Sequence, residues 1–142
     1  MKKVSITDKI QYVRLAIFIP AFNEEKTIGG VIDTMPKKLS GVHEILLIMV
    51  DDGSADKTGE IAKGKNAVVI THAENQGVGK SFQDGLERAI ELKVDLLVTI
   101  DADGQFDPRE IEKLIAPIIE GKADFVTGSR FVDKNYIPST MP

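Results

Sequence analysis

The chain has 142 residues, 42% of them hydrophobic, and a formal net charge of −4. That is enough apolar material for one domain with a buried core, and the acidic balance leaves no electrostatic footprint for nucleic acid. With no cysteine there is neither a disulfide nor a thiolate metal site, which suits a reducing compartment.

Residues 1–13 read as a leader, and MKKVSITDKIQY lacks the apolar stretch of a signal peptide. The first continuous apolar run is LAIFI at 15–19. A helix over 27–35 follows, with Ile28, Val31, Ile32 and Met35 on one face. The second run, ILLIMV at 45–50, is far too short to cross a bilayer and leads to a short helix over 58–63. The third, AVVI at 67–70, precedes a helix over 78–92 whose apolar positions are Phe82, Leu86, Ala89 and Ile90. The fourth, LLVTI at 96–100, leads to a helix over 108–120, with Asp107 as its N-cap and Pro108 at its first position. That helix carries Ile111, Leu114, Ile115, Ile118 and Ile119, and Pro117 is placed to end or kink it. The fifth run, FVT at 125–127, reads as one more strand.

Apolar runs without alternation indicate strands buried on both faces. Their alternation with helices predicts an α/β fold, a Rossmann-like and mostly parallel sheet with helices on both faces. The sequence reads as a single domain over 1–142, soluble and cytoplasmic. Residues 132–142 lose the pattern and read as an irregular tail, as after a truncation.

In open parallel sheets, ligands bind beyond the carboxyl ends of the strands. Here those ends read PAFNEE (20–25), DDGSADKT (51–58), THAENQGVGKS (71–81), DADGQFDP (101–108) and GSR (128–130). Asp101 and Asp103 are two residues apart, so their carboxylates tend to one side, and they repel unless a cation lies between them. A hard divalent ion, Mg²⁺ or Mn²⁺, takes such a pair and completes its shell with phosphate oxygens and water. The bland alternative is a turn cornered at Asp103-Gly104. Of Asp51 and Asp52, one carboxylate is spent on the turn or on a cap, with Asp56 or Ser54 as other caps. The second can accept from a nucleobase N–H or a ribose hydroxyl. Asn23 is placed to cap the first helix, and Glu24 or Glu25 suits its first turn. Arg130 offers a guanidinium for phosphate, or a surface salt bridge.

Gly79-Lys80-Ser81 imitates the end of a Walker A loop, G-x-x-x-x-G-K-[ST]. The position of its first glycine is Glu74, whose carboxylate would face the phosphates, and the loop follows the third strand of the sheet instead of the leading one. The dinucleotide fingerprint fails at Phe82, where it needs a third glycine. The loop reads as a ligand-lining wall; Lys80 is within reach of a phosphate there, with a solvated lysine at a helix start as the preferred reading.

IPAFNEEKTI, VDDGSADKT, NQGVGKSFQDGLERA, TIDADGQFDP and GSRF, in this order, resemble the nucleotide-sugar-binding half of the family 2 glycosyltransferases. The branch they most resemble is that of the polyprenyl-phosphate (dolichol-phosphate) mannosyl- and glucosyltransferases. The resemblance implies a GT-A fold and an inverting transfer from a UDP- or GDP-sugar, with Mg²⁺ or Mn²⁺ as cofactor. The implied acceptor is a polyprenyl phosphate or a glycan, with peripheral membrane contact. It implies nucleotide contacts from Pro20, Phe22 and Glu24, and base reading by Asp52. Asp101-Ala102-Asp103 corresponds to the DxD motif, with Asp103 the principal metal ligand and Asp101 assisting. Gln105 and Arg130 fall where the sugar-diphosphate is held. A nucleotide-sugar-binding module without turnover is the alternative. An exposed sheet edge or apolar face would give a place for self-association.

Overall fold

We describe residues 12–129 of a computed structural model; nearly all of the expected leader, the tail at 132–142 and Arg130 lie outside them. Four strands and four helices alternate along the described residues. They are β1 (Arg14–Ala21), α1 (Ile28–Thr34), β2 (Glu44–Asp51), α2 (Thr58–Gly64), β3 (Val68–Thr71), α3 (Val78–Glu91), β4 (Leu96–Thr99) and α4 (Glu110–Ile119). The sheet order is β3-β2-β1-β4, and every pairing is parallel. Phe18 at its centre lies opposite Ile48 on one side and Thr99 on the other.

The period-two geometry of a strand sorts β1 between two cores. Leu15, Ile17 and Ile19 pack with Ile28 and Ile32 of α1, Ala62 of α2, and Ile111 and Ile115 of α4. Ala16 and Phe18 point to the opposite face and pack with Ile48, Val50 and Ala89 of α3. Both faces of β1 are therefore dry, which is why its sequence shows no polar alternation. A fully buried side chain of this size contributes about 1.5–3 kcal/mol.

α3 meets the sheet differently from its sequence pattern. Its buried residues are Ser81, Gly85 and Ala89, whereas Phe82, Leu86 and Ile90 are exposed. The reason is the Phe18 ring. A Cβ on Gly85 would lie 2.3 Å from Phe18 Cε2, so only a helix face of small residues can come this close.

Three local expectations are corrected. Residues 125–127 form no strand, and Phe125 is 81% exposed; three residues without a ladder partner or an apolar face to cover them have little to hold them extended. Asn23 does not cap α1. It adopts φ +55°, and its side-chain oxygen accepts the amide of Ala55 in the neighbouring loop, at 2.9 Å. α4 is regular only from Glu110, two residues later than expected, while Asp107 caps the turn that precedes it, its Oδ1 accepting the Arg109 amide (3.0 Å) and its carboxylate pairing with the Arg109 side chain. Pro117 lies inside α4 and its carbonyl accepts the amides of Lys122 and Ala123, closing the helix two residues beyond it.

Candidate functional site

The order β3-β2-β1-β4 places the topological switch point between β1 and β4, where ligands of open α/β sheets bind. The loops at this edge fasten to one another. The Asn23 amide donates to Ser54 Oγ (2.9 Å), the Glu24 amide to Thr58 Oγ1 (2.8 Å) and the Lys57 amide to Glu25 Oε2 (3.2 Å). Asp56 takes both the amide and the hydroxyl of Thr58, and the hydroxyl bond holds its carboxyl below the usual range against the effect of burial. PAFNEE and DDGSADKT are in this way one rigid rim.

Asp51 and Asp52 divide their work. Asp51 Oδ1 accepts the Ser54 amide at 3.0 Å, closing the turn. Its Oδ2 rests against Gly59, where a Cβ would come within 2.4 Å. Asp52 crosses to the glycine loop. Its Oδ1 accepts the Gln76 amide (2.8 Å) and faces His72 Nδ1 (2.7 Å), and its Oδ2 accepts the Gly77 amide (2.9 Å). Burial alone would raise its pKa, but the Gln76 amide, the His72 ring and the Gly77 amide outweigh it and the net shift is downward.

His72, which belongs to none of the five motifs that carry the resemblance, is 7% exposed. Its Nε2 lies 2.8 Å from Asp84 Oδ2, and Lys80 pairs with the other Asp84 oxygen at 2.5 Å. The hydrogen bond to Asp52 raises the His72 pKa, burial opposes the rise, and Asp84 reinforces it. Its signal in the sequence was its position, directly after β3 on the same edge as the other polar groups.

A cavity of about 420 Å³ opens where these pieces meet. Pro20, Phe22 and Glu24 line it from the end of β1, Asp52 from β2, Gly77 and Ser81 from the glycine loop and α3, and Asp101, Ala102 and Asp103 from beyond β4. Seven of the residues singled out from the sequence, drawn from three strand ends, thus share one concavity. Gln105 is the exception, lining an adjacent cavity with Asp101, Val31 and Phe106. Arg130 lies outside the described residues.

Asp101 and Asp103 are exposed. Asp103 Oδ1 accepts the Gln105 amide at 2.9 Å; among the described residues the Asp101 carboxylate has no hydrogen bond or ion pair. No group of three or more potential ligands from His, Asp and Glu occurs among the described residues. The arrangement suits a hard cation that takes one or two carboxylates and finds its other ligands on a substrate.

The fold and edge together define an open, parallel α/β domain with an acidic mouth at its switch point. Residues 16–140 match the glycosyl transferase family 2 profile, and the chain belongs to that family. It is 39% identical over 141 residues to an uncharacterized protein of Methanocaldococcus jannaschii, covering 99% of this chain and 56% of that one. It is 37% identical over 142 residues to the UDP-N-acetylglucosamine–dolichyl-phosphate N-acetylglucosaminyltransferase of Methanococcus voltae, covering 88% and 53%. The chain thus spans about half the length of these curated relatives. Among solved structures, glucosyl-3-phosphoglycerate synthase of Mycobacterium tuberculosis, in complex with Mn²⁺, UDP and glucosyl-3-phosphoglycerate, superposes with a TM-score of 0.60. That match has 29% identity and covers 78% of this chain and 41% of the other. The GT-A architecture and the polyprenyl-phosphate branch read from the motifs agree with these relatives. No helix among the described residues is long and apolar enough to cross a membrane.

Proposed function

We propose that the chain binds a nucleoside-diphosphate sugar, UDP- or GDP-linked, with Mg²⁺ or Mn²⁺. We further propose that it is the donor-binding part of an inverting transferase acting on a polyprenyl phosphate. One observation carries the reading: a single cavity joins the exposed carboxylates of Asp101 and Asp103 to the clasped ends of β1 and β2 and to the glycine loop. The metal-bound UDP complex of the mycobacterial synthase supports it by likeness of fold.

Each residue has a chemical part in this reading. Pro20 and Phe22 supply apolar wall for the nucleoside. Asp52 Oδ2 has a single donor among the described residues, the Gly77 amide, and retains acceptor capacity toward a base N–H. Glu24 is tied down through Thr27, whose hydroxyl donates to its Oε2 at 2.7 Å, and its carboxylate stands at the cavity. Asp103 would hold the metal with Asp101 assisting, and Ala102 keeps the wall between them small. When bound, the ion would neutralise charge developing on the departing diphosphate. Gln105 and Arg130 are assigned to the sugar-diphosphate. A phosphate acceptor is already an anion and needs little help from a base, whereas a hydroxyl acceptor would need one.

A nucleotide-sugar-binding module without turnover is the second reading. Calorimetry with UDP- and GDP-sugars and Mn²⁺, followed by a transfer assay with added polyprenyl phosphate, separates the two. Metal-dependent binding with transfer supports the enzyme; binding without transfer to any acceptor leaves the module. No binding of any nucleotide sugar would overturn both.

A further inference from the structure

Ser81 sits in the first turn of α3 and is 1% exposed, yet its hydroxyl has no hydrogen-bond partner, alone among buried side-chain polar atoms of the described residues. Native structures rarely leave a buried hydroxyl unpaired, because its desolvation is not compensated. The usual escape for a helical serine is the carbonyl four residues back. Here that carbonyl, Gly77 O, accepts the amide of Ser81 at 3.1 Å but not its hydroxyl. Ser81 lines the cavity of about 420 Å³. The first-turn amides of the 14-residue α3 give this end of the cavity a positive bias toward acceptor oxygens.

One residue separates Ser81 from the base-side carboxylate. Gly77 donates its amide to Asp52 Oδ2 at 2.9 Å and gives its carbonyl to the Ser81 amide. An acceptor, Asp52 Oδ2, and a donor, Ser81 Oγ, therefore line the same wall. Uracil and guanine each present a ring N–H beside a carbonyl oxygen, which matches this pair. Cytosine and adenine present a ring nitrogen acceptor beside an amino group, which does not.

We propose that Ser81 is a base-contacting specificity residue, its hydroxyl donating to the carbonyl oxygen next to the N–H that Asp52 accepts. This rests on the nucleotide reading of the cavity. The hydroxyl is left unpaired in the free protein and acquires its partner from the nucleotide.

The test is Ser81→Ala, measured with UDP, GDP, CDP and ADP in the presence of Mn²⁺ and by thermal unfolding without ligand. The variant should unfold at or above the parent's temperature, since it loses an unsatisfied polar atom and gains helix propensity. Its affinity for the preferred uracil or guanine nucleotide should fall about 3- to 10-fold, the worth of one neutral hydrogen bond. Its weak binding of CDP and ADP should not change. A variant that binds the preferred nucleotide as the parent does, or melts lower, overturns the assignment while leaving the nucleotide reading intact. A parent that binds CDP and ADP as tightly as UDP and GDP also overturns it. A parent that binds no nucleoside diphosphate removes the nucleotide reading itself, and Ser81's role with it.

Discussion

Replacing His72 with Gln should loosen the wall that Asp52 holds, and the loss should depend on pH. Both imidazole nitrogens face carboxylate oxygens, at 2.7 and 2.8 Å. A ring donates from both nitrogens only as imidazolium. Its pKa is raised, chiefly by the bond to Asp52 and against the opposing effect of burial. The bridge therefore stabilises fully below the unfolded histidine value of about 6.5 and weakens as pH climbs through the raised folded value. Asp52 and Asp84 are shifted the other way. Their contribution is present above the unfolded carboxylate value of about 3.9 and fades only as pH falls through the depressed one. The network is tightest between these limits. Removing one partner of a buried ion pair costs about 3–5 kcal/mol. Asp52 keeps two amides and Asp84 keeps Lys80, so the expected loss is nearer about 2–3 kcal/mol. For a chain of this size that lowers Tm by about 6–12 °C. Urea unfolding of parent and variant at about pH 6 and about pH 9 measures it. The stability gap should shrink at the higher pH. Equal gaps at both, or no gap at pH 6, would refute the imidazolium bridge.

Asp103→Ala should abolish Mn²⁺-dependent binding of nucleotide sugar; calorimetry showing unchanged metal-dependent binding would remove the metal assignment. Gly85→Ala should destabilise by about 1–3 kcal/mol, because the new methyl overlaps the buried Phe18 ring; a urea midpoint equal to the parent's would mean that α3 can lift off the sheet without cost. Lys80→Met should leave UDP- and GDP-sugar binding as in the parent, since its ammonium is engaged by Asp84. Lysine-dependent nucleoside triphosphate hydrolysis in the parent would contradict that.

The sheet was legible because burial on both faces writes itself as unbroken apolar runs, and four of the five runs form strands where expected. The edge was legible for a related reason: parallel strands all end on one side, so residues far apart in sequence, such as Pro20, Asp52 and Asp101, converge by topology alone. What the sequence concealed depends on approach distances and long-range pairing. The apolar stripe of α3 pointed to Phe82, Leu86 and Ile90, but the helix turns its small residues inward to reach Phe18. Asn23 looks like a helix cap until the loop at Ala55 comes beside it. His72 has two partners, Asp52 twenty residues away and Asp84 twelve, and no local pattern pairs them.

The same network explains why a Gly-Lys-Ser sequence need not be a phosphate loop. A Walker loop binds phosphate because its backbone amides and its lysine are left free to meet an anion. In this chain the amides of Gln76 and Gly77 already have one, the carboxylate of Asp52. The lysine has one too, in Asp84. His72 ties the two carboxylates together, so the Gln76 and Gly77 amides and the Lys80 ammonium are all matched within the protein. A phosphate placed there would have to displace a buried, hydrogen-bonded carboxylate, which is costly. In the proposed reading, phosphate chemistry falls to the edge where the carboxylates of Asp101 and Asp103 have no cationic side chain paired with them among the described residues. A divalent ion held there would reverse the sign of the site and let a diphosphate approach. In the proposed reading the glycine loop then serves as a wall against the base, and the Ser81 hydroxyl is its one buried unpaired donor side chain among the described residues.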